Sequence, residues 1–293
     1  MRRIAFIAAA AVVLAACGDG GADGGDPRPN ASATSTSAAA AQATPPTVAS
    51  PAPSPGARPA DLVSVLDGDS LEIELDGTIE EVRLEGVNTP EREECWSDEA
   101  GAATSDLVAG ADLVFDPAER DQYGRLVGFL WANGDLVNLR LLEAGAALAL
   151  SFDHAHTGVF FAAEEVAFSS GVGLWGRDAC GPPTEAVVAV SRVEPDAPGR
   201  DDENPNGEWV EIVNDGPDAD LTGWVLRDES SIHRYVFPDG FVLGSGDRVT
   251  IRSGWGDDGG GALYWGAGSV WSNGGDTVLL LDPNGNVVDR YRY

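Results

Sequence analysis

Asp67 and Asp69 flank Gly68 in SVLDGDSLEIEL, residues 64–75, where apolar alternation alone would give a plain half-buried strand. Two carboxylates about one glycine make either a solvated turn or a set of hard oxygen ligands aimed into a cleft. Carboxylate and carbonyl oxygens suit Ca²⁺ or Mg²⁺, and the lack of a Cys/His cluster argues against zinc. Arg83 is a second anomaly, a guanidinium inside the apolar strand pattern EEVRLEGV, for which a structural ion pair is the plain explanation.

The frame that must position these residues starts at Leu62. A strand reading over 61–75 is followed by a tight turn at Asp76-Gly77 and a second strand, EEVRLEGV. The loop NTPEREECW leads to a helix in which Ser97 is followed by Asp98 and Glu99, carboxylates that suit the positive end of a helix. Two more strands (DLVFDP, RLVGFLWA) and two helices, one opening at Asn138 and one reading VFFAAEEVAFSSG, complete the block. Short strands with helices after them predict a small five-stranded barrel of the OB type over 61–181. A Gly-Pro-Pro break then marks a linker at 182–187. From 188 to 293 the pattern is all strand, with Asn284-Gly285 as a hairpin signal, and about seven strands in that length predict an antiparallel β-sandwich.

The N-terminus belongs to neither block. Arg2 and Arg3 precede IAFIAAAAVVLAA, a run too short to span a bilayer comfortably and patterned like a secretory signal over 1–17. Its end, Leu14-Ala15-Ala16-Cys17, resembles the lipobox of bacterial lipoproteins, which implies acylation of Cys17 and an exported protein lipid-anchored to the outer face of the cell membrane. Residues 18–60, rich in Ala, Pro, Ser and Thr, are expected to form a disordered tether. In an oxidising compartment Cys95 and Cys180 are expected to pair, two free thiols being the alternative. The net charge is −30, with every basic residue an arginine, and such a surface argues against tight, salt-sensitive, non-specific binding of a polyanion.

Residues 61–181 resemble the staphylococcal nuclease (thermonuclease) family in DGDS, VRLEGVNTPE, DQYGRLVGFLW and LWG, taken in that order. Spacing agrees, with Arg83 fourteen residues after Asp69 and Glu91 eight after Arg83. The resemblance implies a calcium-dependent nuclease that cleaves single-stranded or locally opened DNA and RNA with little sequence preference and leaves 3′-phosphate ends. Carried over by position, Asp69, the side chain of Asn88 and the carbonyl of Thr89 form the Ca²⁺ site, with Asp67 nearby. Glu91 is the general base on a loop fixed by Pro90, Arg83 and Arg125 clamp the phosphate, and Tyr123 meets the substrate. Asn88 replaces the family's usual aspartate and removes one charge from the cation site. Phe152 is the one aromatic residue at Ser151-Phe152-Asp153, where the family carries tyrosines.

His154 and His156 have no role in that scheme and are expected in a solvated loop, as the Glu93-Glu94 and Glu80-Glu81 pairs are expected on solvated surface. Residues 188–293 resemble the lamin tail domain family in GEWVEIVNDG, LTGWVLRD and WSNGGDTVLLLDPNGNVVD. That implies an immunoglobulin-like module that binds an unassigned ligand, with Trp209, Trp224 and Trp271 serving packing first. The rival to an enzyme is an inactive nuclease-like lipoprotein that acts as a binding or adhesion module through its sandwich. Calcium-dependent cleavage separates the two.

Overall fold

The computed structural model describes residues 48–293, so the expected signal segment with Cys17, and the tether as far as residue 47, lie outside the described residues. The end of the tether stretch departs from expectation. The Val48 N–H donates to the Glu143 carboxylate (2.6 Å), the Leu136 N–H to the Ser50 hydroxyl (2.6 Å) and the Trp131 indole to the Pro51 carbonyl (2.7 Å). A segment poor in apolar side chains is thus ordered through its backbone groups, which find partners on elements already folded. Among the described residues no helix is long and apolar enough to cross a membrane.

The first part runs β1 (Arg58–Val65), β2 (Ser70–Leu75), β3 (Thr78–Leu84), β4 (Val87–Asn88), α1 (Ser97–Val108), β5 (Leu113–Arg120), β6 (Leu126–Ala132), β7 (Asp135–Leu136), α2 (Val137–Glu143), β8 (Leu148–Ala149) and α3 (Thr157–Ser170). The order β3-β2-β1-β5-β6 is closed by a parallel β3–β6 pairing, which gives the predicted five-stranded barrel. Alternation explains β2: Leu71, Ile73 and Leu75 are buried inside while Glu72 and Glu74 face outward. Phe115 and its cross-strand partner Leu130 fill the barrel with them, Trp131 lies on the opposite face of β6 beside Phe129, and Leu139, Leu142 and Phe160 seal the helical side. The continuous strand expected over 61–75 is instead an antiparallel hairpin, β1 pairing with β2 across the turn at Asp67-Gly68-Asp69.

The second part runs β9 (Val188–Glu194), β10 (Trp209–Asn214), β11 (Ala219–Asp220), β12 (Val225–Arg227), β13 (Arg234–Val236), β14 (Val242–Leu243), β15 (Arg248–Arg252), β16 (Ala262–Tyr264), β17 (Thr277–Leu281) and β18 (Val287–Arg292). Two four-stranded sheets, β16-β15-β10-β9 and β13-β12-β17-β18, form an immunoglobulin-like β-rich fold. Val210, Ile212, Trp224, Leu226, Trp271 and Val278 make its core, while Trp209 is half-buried beneath Arg192.

The two parts share a third apolar cluster, in which Leu148, Ala167, Leu174 and Trp175 meet Leu279 and Leu281. Fully buried Glu164 on α3 pairs there with Arg290 (2.5 Å) and Arg292 of β18, and accepts the Ala149 N–H (3.0 Å). The described residues, 48–293, therefore form one compact unit.

Candidate active site

The β1–β2 turn brings Asp69 into place. The Leu66 N–H donates to the Ser70 carbonyl (2.9 Å) and the Asp69 N–H to the Asp67 carboxylate (3.0 Å). A Cβ on Gly68 would lie 2.7 to 2.8 Å from Thr89 and Ala100, so the missing side chain lets the turn rest on α1 and on the loop after β4. Gly68 is needed for that close approach.

Asp69 is 5% exposed. Its Oδ2 accepts from the Thr89 N–H (2.8 Å), the Thr89 hydroxyl (3.1 Å) and Arg83 Nη2 (2.9 Å). Arg83 Nη2 also donates to Asn88 Oδ1 (2.9 Å), and Nη1 to the Leu84 carbonyl (2.6 Å). Burial pushes the Asp69 carboxyl above its usual range, against the pull of Arg83 and the Thr89 N–H. Asp67 stays exposed, its carboxylate spent partly on the turn.

Glu91 stands on the loop after Thr89, in a turn closed from Glu94 N to Glu91 O (2.8 Å) and from Glu91 N to Glu94 Oε2 (2.9 Å). Partial desolvation, then the carboxylates of Asp69 and Asp67, raise its carboxyl above the ordinary value, with Arg83 opposing them. Arg125 sits at the β5–β6 turn. Its Nε donates to Asp121 (2.7 Å), whose other oxygen accepts the Tyr123 and Arg125 N–H groups, and Nη1 lies 3.5 Å from the Ser70 hydroxyl beside Asp69. Tyr123 is 74% exposed, its ring 5.5 Å from the Arg125 guanidinium. The structure thus gathers Asp69, Arg83, Asn88, Thr89, Glu91 and Arg125 at one end of the barrel, with Tyr123 on the rim. Cys95 and Cys180 form a disulfide that ties the Glu91 loop to the end of the first part.

Among the described residues no three or more His, Cys, Asp or Glu side chains gather into a metal cage. Asp69 Oδ2 and Asn88 Oδ1 nevertheless converge on one positively charged nitrogen, and Thr89 is tied to the same carboxylate. These two side-chain oxygens, of low total charge, are donors of the kind a hard divalent cation takes.

Two expectations are corrected. The Glu94 carboxylate is not solvated surface, for Arg227 (3.3 Å) and Arg234 of the second part both pair with it. Glu93 and Glu81 are exposed as expected, and Glu80 pairs with the half-exposed Arg120 (2.8 Å) at the surface. His154 and His156 do not sit in a solvated loop: their rings lie 5.7 and 4.6 Å from Phe129 and both face Phe160. Burial, then His156, lowers His154 to about 4, which leaves that ring neutral, and burial lowers His156 as well.

The second part also reaches the site in ways that no sequence pattern marked. Asn88 Nδ2 donates to the Glu229 carbonyl (3.0 Å) and lies 3.5 Å from the Ser231 hydroxyl. The Glu229 carboxylate accepts the Ser151 N–H (2.7 Å) and hydroxyl (2.6 Å). The one available signal was Arg227, an arginine at the end of the apolar run TGWVL, the same anomaly that singled out Arg83.

Residues 81–177 match the family Staphylococcal nuclease homologue, and residues 182–293 match the Lamin Tail Domain. Protein ParB of Escherichia coli is 29% identical over 125 residues, 39% of this chain and 71% of that protein. Succinoglycan biosynthesis protein ExoI of Rhizobium meliloti (strain 1021) is 34% identical over 124 residues, 38% of this chain and 62% of its own length. Thermonuclease of Staphylococcus intermedius is 33% identical over 93 residues, 29% of this chain and 55% of its own length. This chain therefore spans under two thirds of the last two relatives. Taken with the closed barrel and the sandwich, these matches show that the chain carries a staphylococcal nuclease homologue domain followed by a lamin tail domain.

Proposed function

We propose that this protein is an exported, calcium-dependent nuclease, held at the outer face of the cell membrane through Cys17. It hydrolyses phosphodiester bonds of single-stranded or locally opened DNA and RNA with little sequence preference. The observation that supports this reading most is the convergence of Asp69, Arg83, Glu91 and Arg125 at one end of the barrel.

Calcium, held by Asp69, Asn88 and Thr89, would neutralise phosphate oxygens and polarise the phosphorus. Arg83 and Arg125 present planar forks of donors to the remaining oxygens, where negative charge builds up in the transition state. Arg83 is shared at present between Asp69 and Asn88, so a phosphate competes for its fork. Glu91 takes the proton of the attacking water, and its raised pKa strengthens it as a base. Scission of the P–O5′ bond leaves a 3′-phosphate. The exposed Tyr123 ring offers a face to an unpaired base, and contacts to phosphate and stacking carry little sequence information.

The test is incubation of the protein with single-stranded DNA in calcium or in chelator, with analysis of the product ends. Cleavage in calcium alone, with 3′-phosphate products, is expected. No calcium-dependent cleavage at any salt concentration would leave the binding-module reading in its place.

A further inference from the structure

We propose that the lamin tail domain is a working part of the nuclease-like site, with Arg227 and Arg234 as positioning residues that hold the Glu91 loop through Glu94. This rests on the reading of that site as a nuclease centre. Arg227 Nη1 lies 3.3 Å from both Glu94 carboxylate oxygens, and Arg234 Nη1 pairs with one of them. Glu94 Oε2 in turn accepts the Glu91 N–H (2.9 Å) and so closes the turn that carries the base. One carboxylate therefore links two guanidinium groups of the lamin tail domain to the backbone of Glu91. Arg227 is 4% exposed, and a carboxylate held by one buried guanidinium and by a second one is a stiffer support than one held by water alone.

The same segment holds two further parts of the site. The Glu229 carbonyl accepts from Asn88 Nδ2, which turns Asn88 Oδ1 toward Arg83 beside Asp69. This accounts for an amide at position 88: an aspartate would set an oxygen against the Glu229 carbonyl. The Glu229 carboxylate fixes Ser151, next to the exposed Phe152. Adhesion between the domains does not explain the segment. The apolar seam and the Glu164 network supply adhesion, whereas Ile232 at the tip of the segment is 80% exposed and buries little.

The experiment uses the full protein with single-stranded DNA and Ca²⁺, and compares Arg234→Ala, Arg234→Lys, Glu94→Gln and the Arg234→Ala/Glu94→Gln pair. Arg227 is left alone, because its burial makes a folding defect the simplest result. Arg234→Ala should lower kcat about tenfold with KM within about twofold, the signature of a displaced catalytic group. Arg234→Lys should recover most of kcat, and the pair should be no worse than the poorer single variant. Hydrogen exchange of the amides from Glu91 to Cys95 should quicken in Arg234→Ala while the thermal midpoint stays put. Unchanged exchange overturns the proposal whatever the cleavage rate, and so does a kcat that is unchanged or raised, the latter marking the contact as a brake. If the unmutated protein does not cleave DNA, the nuclease reading fails and exchange alone decides the positioning role.

Discussion

Asn88 meets opposite demands at its two amide atoms, accepting from Arg83 on one side and donating to the Glu229 carbonyl on the other. Asn88→Asp adds a charge beside Asp69 and removes the donor. It should tighten calcium binding about tenfold, on the order of 1.4 kcal/mol, while metal-free stability falls by roughly 1 to 3 kcal/mol from the unpaired carbonyl. Calorimetric titration and thermal unfolding with and without calcium read both effects, and equal or weaker calcium binding would show that Asn88 does not face the cation. The two arginines should separate in the same way. Arg125 and its partner Asp121 are partly solvated, so Arg125→Ala should lower turnover about a hundredfold or more with little loss of stability. Arg83→Ala should lower turnover as much and also destabilise the fold, because it strips the guanidinium from a carboxylate that is 5% exposed. Chemical unfolding of both variants beside their kcat values makes the comparison.

At the scale of elements, the hairpin, the disulfide and the sandwich edge each carry load. The Cys95–Cys180 bond spans 85 residues, so replacing both cysteines by serine should cost about 4 kcal/mol in chemical unfolding, and a loss below about 1 kcal/mol would contradict that. Asp276, just before β17, has a carboxyl pushed from 3.8 up to about 7 by burial, then by Glu229. Its folded pKa lies above the unfolded one, so its stabilising share is full below the unfolded value and is lost as pH rises through about 7. The thermal midpoint should therefore fall between about pH 4 and about pH 7, and Asp276→Asn should flatten the slope, with Glu229, Asp228 and Tyr293 as the neighbours that modulate it. The barrel, the sandwich and the start of α1 were legible in the sequence, because local periodicity encodes them, and the family resemblance pointed to the residues from Asp69 to Arg125 that the fold brings together. The Asp67–Asp69 hairpin was not, since the apolar alternation runs in step on both sides of the turn. Nor was the ordering of residues 48–57, which rests on backbone groups meeting α2 and β6. The grip on Glu94 joins residues 133 and 140 positions apart and exists only once two domains dock, which no local pattern records.

The whole molecule carries a net charge of −30, so it meets a polyanion with local positive charge and general repulsion. If Arg83 and Arg125 are the two groups that neutralise phosphates, the slope of log affinity for single-stranded DNA against log salt should be shallow, about −1.4, and a slope steeper than about −3 would reveal other basic contacts. Weak binding would suit the proposed nuclease, and a fixed second domain would keep the small site rigid without enlarging its basic surface. A nuclease centre at this end of the barrel depends on Glu91. Single-turnover cleavage of single-stranded DNA at saturating calcium, for the protein and for Glu91→Gln, with DNA affinity measured on the same samples, isolates the base from binding. A rate at least about a hundredfold lower in the variant, at unchanged affinity, is the predicted result; equal rates would contradict a nuclease centre at this end of the barrel.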